Sequence, residues 1–297
     1  MPAAPLPVIV NAAGGNASRA GASLGDQIES AFAAAGRAIA LELVEGDGLP
    51  QALNKYAGSP RVVVGGGDGT LATAAKAISS AGGEMAVLPL GTRNHFAGQL
   101  GIPPDLVEAA ELAANGGARR VDLGRAGDRV FINNLSVGAY VDLVRAREAS
   151  PLPKLLATVP ATWRTLRKLR SRRFELTIDG ERSMAETPLL FVGNNRYEVE
   201  EGRPGERGSL EDGMLSVYAI APLSRTALIA VALRTLVARP RMHRDFVLHR
   251  TAREVIVQGP GAKLEIALDG ERCRFELPLT IRIEPQALAV VSPLEID

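Results

Sequence analysis

Val62-Val63-Val64-Gly65-Gly66-Gly67-Asp68-Gly69-Thr70 decides how this chain is read. Three β-branched residues in a row suit a short buried strand. The glycines around one acid then let the backbone turn tightly, and the segment after them, Leu71–Ala81, is compatible with a helix. A strand that breaks on glycines before a helix presents backbone N–H groups and the positive end of the helix dipole, which suits a polyphosphate. Asp68 cannot hold a phosphate directly, because both are anionic. It makes sense if it holds a metal ion that bridges to the phosphates, a proton, or its own loop. Spelling excludes two alternatives. A dinucleotide fingerprint starting at Gly65 fails at Thr70. A Walker loop ends in Gly-Lys, and no lysine here follows a glycine.

A second segment, Met85–Phe96, reads Met-Ala-Val-Leu-Pro-Leu-Gly-Thr-Arg-Asn-His-Phe and is again a strand ending in Gly-Thr. Together with Gly66–Thr70 it resembles the catalytic domain shared by diacylglycerol kinases, sphingosine and ceramide kinases and bacterial lipid kinases. That family pairs a Gly-Gly-Asp-Gly-Thr loop with a Pro-Leu-Gly-Thr-x-Asn-Asp-Phe-Ala loop. The resemblance runs on in order along nearly the whole chain. Asn11–Gly15 is similar to the family's first Asn-Pro-x-x-Gly loop, with Ala12 for proline. Val121–Leu123, Phe131–Gly138, Asn194–Tyr197, Leu210–Leu215 and Asp269–Glu271 resemble later elements. Three positions depart from the pattern. His95 stands where the second loop has aspartate, Val44 about where many members have a nucleotide-contacting threonine, and Tyr140 in place of a frequent aspartate.

The resemblance implies an ATP-dependent kinase that phosphorylates a lipid hydroxyl, diacylglycerol by default, with ATP and Mg2+ as cofactors. Ceramide, another sphingoid lipid or phosphatidylglycerol are alternative acceptors. An NAD kinase-like enzyme and a non-catalytic lipid-binding relative are the competing classes. NAD kinases share the Gly-Gly-Asp-Gly loop, but their Asn-Glu and Gly-x-Leu-Gly-Phe elements are not found here.

Phosphoryl transfer to an alcohol needs a cradle for the donor phosphates, a cation and a base. The expected cradle is Asn11, Gly66, Gly67, Asp68, Gly69, Thr70, Gly91, Thr92 and Asn94. Asp68 and Asp122 are expected to form a magnesium-associated acidic network, directly or through water. The resemblance places the proton acceptor at Glu271, with Asp269 close by, so Glu271, Asp269 and Asp68 are the expected catalytic residues. Two carboxylates this close should raise each other's pKa. A twin hairpin, Asp179-Gly180-Glu181, has the same spelling. The sequence after each copy separates them, since Leu277-Pro278 and Pro285–Leu288 resemble the segment downstream of the functional copy in the family. Leu210–Leu215 resembles an element that holds a structural magnesium, which implies Asp212 by its carboxylate and Ser209 and Met214 by main-chain oxygens.

With 297 residues, one large or two medium domains are expected. The net charge of +1 names no partner, so any basic surface is local. One cysteine, Cys273, excludes a disulfide framework and a cysteine-based metal site, and its alternating neighbours suit a sheet. The N-terminus lacks a basic region followed by an apolar run, and Ala227–Leu233 is too short to span a bilayer. The expected location is cytoplasmic, peripheral at the inner membrane face.

The first part alternates strands (Val8–Val10, Ile39–Val44) with helices (Ser23–Ala35, Pro50–Ala57, Asp105–Asn115). Leu24, Ile28, Ala31 and Phe32 share one helix face. This argues an α/β domain with a parallel sheet. Near Gly124 the pattern changes to strands joined by Asp-Gly turns, after Glu175–Ile178 and after Leu264–Leu268, which predicts antiparallel sheet. The expected domains are an α/β nucleotide-binding domain over 1–124 with a C-terminal return at about 283–297, and a β-rich lipid-substrate domain over 125–282.

Trp163–Arg173 carries Arg164, Arg167, Lys168, Arg170, Arg172 and Arg173, with Trp163, Leu166 and Leu169 between them. At helical spacing this gives an apolar edge and a basic face that suits an anionic membrane surface, and equally a solvated helix. The expected partners are a lipid substrate at a membrane surface and anionic phospholipid headgroups, with no nucleic acid and with homodimerisation left open. His243-Arg244-Asp245 spells the start of a protein-kinase catalytic loop, but Arg250 stands where that loop needs asparagine.

Overall fold

The computed structural model describes residues 4–13, 17, 21–45, 48–56, 58–138, 171–197, 207–220 and 246–293. The chain divides into two compact units, Met1–Leu123 with Gln286–Asp297, and Gly124–Pro285.

The first unit alternates strands and helices: β1 (Leu6–Asn11), α1 (Leu24–Ala34), β2 (Ile39–Val44), α2 (Gly48–Lys55), β3 (Arg61–Gly66), α3 (Asp68–Ala81), β4 (Glu84–Pro89), α4 (His95–Gln99), α5 (Leu106–Asn115) and β5 (Ala118–Ala126). The strands pair in parallel in the order β2-β1-β3-β4. The apolar runs of β1, β3 and β4 are buried almost end to end, as expected of strands covered on both faces, whereas the edge strand β2 is mostly half-buried. Helix α1 buries Leu24, Ile28, Ala31 and Phe32, the face that its period predicts. Asp105 caps α5 by accepting the Val107 and Glu108 N–H groups.

In the second unit come β6 (Arg129–Phe131), β7 (Asn134–Gly138), β8 (Arg172–Ile178), β9 (Glu181–Thr187), β10 (Leu189–Asn194), β11 (Leu215–Ile220), β12 (Phe246–Ala252), β13 (Glu254–Gln258), β14 (Lys263–Leu268), β15 (Glu271–Glu276) and β16 (Leu279–Val291). One antiparallel set runs β16-β13-β8-β9, and another runs β12-β11-β10-β7-β14-β15. Both sets contribute to one hydrophobic core, Phe174, Leu176 and Val255 from the first and Leu135, Val192 and Ile266 from the second. The last residues of β16 return to the first unit, where Ala289 and Val290 pair in parallel with Glu84 and Met85 of β4.

Some elements differ from the sequence reading. Helix α3 starts at Asp68, not Leu71, because Gly67 takes the extended cap conformation and Asp68-Gly69-Thr70 enter the first helical turn. Helix α2 starts at Gly48 and holds Pro50 in its first turn, where no intrahelical N–H is needed. The expected basic helix cannot extend to Arg173. Arg172 and Arg173 stand in β8 opposite Thr187 and Glu186, since Phe174 beyond them is buried in the sheet core. Trp163, Arg164, Arg167, Lys168, Arg170, Tyr140 and His243–Asp245 lie outside the described residues. Among the described residues no helix is long and apolar enough to cross a membrane.

Candidate functional site

In the first unit the predicted loops meet at their glycines. A Cβ on Gly91 would lie 2.4 Å from the Gly67 Cα, so the strand-end loops after β3 and β4 touch backbone to backbone. Asp68 fastens them. Its Oδ1 accepts the Phe96 N–H at 2.9 Å and its Oδ2 the His95 N–H at 3.2 Å. Of the three roles open to Asp68 in the sequence, holding a loop is the one seen, and the loop is the second one rather than its own. A carboxylate across the first turn of α4 also suits the dipole of that short helix. His95 takes part through its backbone, and its side chain is exposed.

Asn11, at the end of β1, donates from Nδ2 to the Thr70 hydroxyl at 3.1 Å. Its Oδ1 accepts the Ala13 N–H, closing a local turn. Asn11, Asp68, Thr70 and the Gly67–Gly91 contact therefore join three strand-end segments into one cradle. The first-turn N–H groups of α3 lack intrahelical partners by the geometry of any helix start. Asn94 adopts a left-handed conformation and donates from Nδ2 to the Pro89 and Gly91 carbonyls. Its buried Oδ1 has no partner among the described residues. An amide-rich cradle with an orphaned acceptor beside it fits a phosphate ester that also carries hydroxyl or amino donors, which describes a nucleotide. Gly66, Gly67, Gly69, Gly91 and Thr92 all lie on these loops, and Thr92 is exposed.

Asp122 is the other acid of the expected network. It is 1 % exposed in β5, and its Oδ1 accepts the Gln286 N–H at 2.8 Å, at a residue whose φ is +50°. Among the described residues no three His, Cys, Asp or Glu side chains form a cation site. A carboxylate that accepts one or two N–H bonds still has lone pairs for water.

In the second unit, Asp269-Gly270 forms the turn between β14 and β15 with both residues at positive φ, +47° and +86°. The Asp269 carboxylate sits in a nest of successive N–H groups. Oδ2 accepts from Ile132 at 2.8 Å, and Oδ1 from Asn133 at 2.8 Å and Asn134 at 3.0 Å. Asp269 is thereby an anchor for its turn, and Glu271 stands exposed two residues on, at the start of β15. Burial pushes the Asp269 carboxyl up to about 6, against the downward pull of the three N–H donors and of Arg207. The rise expected from neighbouring carboxylates is thus present at Asp269, but desolvation is its cause.

The twin turn has the same backbone, with Asp179 at +47° and Gly180 at +87°. Asp179 likewise accepts backbone N–H groups, from Arg253 and Glu254, but at an exposed position. Glu181 pairs with Arg250 at 2.8 Å. The nest around Asp269 has a polar backing whose role the sequence reading missed: buried Arg207, Asn133 and Asn194, and half-buried Tyr197. The available signal was the asparagine pairs Asn133-Asn134 and Asn194-Asn195 at the ends of otherwise apolar strands.

On the 209–214 loop, Asp212 is exposed and its Oδ2 accepts the Arg196 N–H, while its own N–H donates to Asn195 Oδ1. Gly213 has a φ of +65° and turns the chain between Asp212 and Met214. The Ser209 hydroxyl accepts the Glu211 N–H. Cys273 is buried in β15, where Arg129 donates to its sulfur at 3.2 Å.

Comparison with known proteins gives one answer across the chain. Residues 5–126 match the model of the diacylglycerol kinase catalytic domain, and residues 136–292 match the YegS C-terminal NAD kinase beta sandwich-like domain. A Pseudomonas putida protein named probable lipid kinase YegS-like is 33% identical over 242 residues, covering 80% of this chain and 78% of that protein. A Bacillus subtilis diacylglycerol kinase is 28% identical over 218 residues, 71% of this chain and 70% of its own. A crystal structure of a Bacillus anthracis diacylglycerol kinase superposes with a TM-score of 0.71 at 19% identity, covering 99% of this chain and 98% of that one.

Proposed function

The chain belongs to the diacylglycerol kinase catalytic-domain family and is a lipid kinase, and from that premise we propose that it transfers the γ-phosphoryl group of ATP to the hydroxyl of diacylglycerol. The observation that carries the nucleotide half of this reading is the Asp68 bridge. It holds two glycine loops and two helix starts in one amide-lined cradle. Gly66, Gly67, Gly69 and Gly91 let phosphate oxygens approach the backbone, and Thr70, Thr92 and Asn94 add side-chain contacts. Mg2+, arriving with the nucleotide, supplies charge neutralisation. Such an ion takes one or two carboxylates plus phosphates, and Asp68 and Asp122 are the residues suited to it through water. Ser209, Asp212 and Met214 are the residues suited to a second, structural ion.

Glu271 is the group that accepts the proton of the lipid hydroxyl. It is exposed, it stands on a turn whose backbone is fixed, and Asp269 serves it as an anchor rather than as a second base. The lipid is met at a membrane surface, with anionic headgroups as the electrostatic partner and the protein peripheral to the inner face.

The test is nucleotide turnover with a panel of diacylglycerol, ceramide, sphingosine, phosphatidylglycerol and NAD, each product identified by mass. Phosphatidic acid formed from diacylglycerol is the expected result. A phosphorylated product from another lipid alone would move the substrate assignment. No phosphorylated lipid from any of them would overturn the proposed reaction.

A further inference from the structure

Arg207 is 8% exposed and its guanidinium is turned onto the backbone of Ile132 and Asn194 and the side chain of Asn133. Nη1 donates to the Ile132 carbonyl at 2.7 Å and to the Asn194 carbonyl at 3.1 Å, and Nη2 donates to Asn133 Oδ1 at 3.0 Å. Asn194 adds Nδ2 to the same Ile132 carbonyl at 3.0 Å, and the Tyr197 hydroxyl donates to the Asn133 carbonyl at 3.0 Å. Tyr197 also lies under the guanidinium, 5.6 Å from ring centroid to Cζ.

These are the peptide groups whose N–H atoms grip Asp269. Segment 132–134 is therefore held from two sides, its N–H groups on an anion and its carbonyls on the Arg207 cation at Ile132 and on neutral donors, which include Asn194 Nδ2, the Tyr197 hydroxyl and the Asn194 and Asp269 N–H groups. A peptide chain between charges in that order is polarised in one direction, so the two grips reinforce each other. A guanidinium fork can hold three acceptors in fixed directions, which an ammonium cannot. The arrangement is far from the sequence neighbourhood of the turn it serves.

We propose that Arg207 is a positioning residue: through the Ile132 carbonyl and the Asn133 side-chain amide it fixes the N–H nest that anchors Asp269, and thereby sets the place of Glu271. The catalytic consequence rests on the reading of Glu271 as the base, whereas the structural one does not. Among the described residues, the other charged or titratable groups around the turn include Arg129 on β6 and Glu271, Arg272 and Cys273 on β15. Arg207 is the cation that acts on Asp269.

The experiment compares wild type with Arg207→Met and Arg207→Lys in the full chain. Amide hydrogen exchange is read at residues 132–134, with residues 62–64 of β3 as the internal control, and kcat and nucleotide KM are measured in parallel. Loss of the fork in Arg207→Met should speed exchange at 132–134 about tenfold or more, the scale of one lost bond to a charged group, and leave β3 unchanged. The kcat should fall about tenfold to a hundredfold, as for a small displacement of a reacting group, with nucleotide KM within about twofold. Arg207→Lys should recover part of both.

Faster exchange with unchanged kcat would keep the positioning role and remove Glu271 as the base. Unchanged exchange at 132–134 would overturn the proposal whatever happens to kcat. Equal loosening of β3 would also overturn it, by showing general destabilisation. Should Arg207→Met not fold, Arg207→Lys carries the same comparison. Full wild-type protection there would overturn the need for the fork.

Discussion

Asp68→Ala removes both acceptors that tie the second glycine loop to the start of α3, at His95 N and Phe96 N. Hydrogen bonds to a charged partner contribute roughly 1.5–3 kcal/mol each. The expected outcome is a folded protein with turnover down about a hundredfold or more and weaker nucleotide binding, checked by circular dichroism, calorimetric titration and product formation. Near-normal turnover would remove the bridge from the mechanism. Asp269 makes a different prediction, through pH. Its folded pKa of about 6 lies above its ordinary value of 3.8. The folded protein therefore binds the proton more tightly than the unfolded chain, and the contribution to stability is full below about 3.8 and lost as pH rises through about 6. Asp269→Asn does not titrate, so the melting-temperature difference, wild type minus variant, should decline between pH 4 and pH 7. A difference that stays flat over that range would contradict the assignment. The same residues show what a sequence withholds. Asp68 is legible as a functional acid from its glycine setting, but its partner Phe96 is 28 residues away. Arg207 carried no signal at all, because Asn133 and Ile132 lie 74 and 75 positions before it.

At the scale of elements, the twin hairpins are the sharpest test. Both copies spell Asp-Gly-Glu-Arg, adopt the same positive-φ turn and use the aspartate to accept backbone N–H groups. Local geometry therefore does not tell them apart, and neither did the turn chemistry in the sequence. What separates them is the support behind each turn. Asp269 faces a nest backed by a buried arginine, whereas Asp179 caps an exposed turn. Glu271→Gln should lower turnover about a hundredfold or more, the usual scale for a lost general base, with nucleotide affinity barely changed. Glu181→Gln loses a surface pair with Arg250, worth about 0–1 kcal/mol, and should leave turnover close to wild type. The reverse ranking, read in one steady-state series, would place the chemistry on the 179–181 hairpin and overturn the choice of Glu271. Helices with a long period were legible for a physical reason. The buried face of α1 repeats every turn, so Leu24, Ile28, Ala31 and Phe32 announce it. Helix α4 has five residues, too few for a period, and disappears into the Gly-Thr loop before it. The start of α3 was hidden because Asp68-Gly69-Thr70, which read as part of a glycine turn, form the helix's first turn once Gly67 caps it.

At the scale of the whole molecule, a lipid kinase must meet a substrate that does not leave the membrane. The net charge of +1 gives no general attraction to an anionic surface, so attraction has to come from a local run of charge. Arg164, Arg167, Lys168 and Arg170, with Trp163 beside them, are the densest basic run in the chain. Arg172 and Arg173 are set apart from it by their place in β8, where Arg173 already pairs with Glu186 at 3.4 Å. We expect the first four to meet anionic headgroups, with Trp163 at the interface. Each basic residue near such a surface contributes about 1 kcal/mol, and salt screens it within a Debye length. Three of them together are worth about two powers of ten in binding. Arg164→Gln, Arg167→Gln and Lys168→Gln combined should therefore weaken co-sedimentation with anionic vesicles about a hundredfold at low salt, and much less at high salt. Neutral vesicles should bind wild type and the triple variant alike. Activity on a short-chain, water-soluble diacylglycerol should be nearly untouched, because the chemistry does not need the surface. Equal binding of the two proteins to anionic vesicles at low salt would show that the run is solvated and that membrane attraction has another source. Loss of activity on the soluble substrate would show that the run serves the reaction itself.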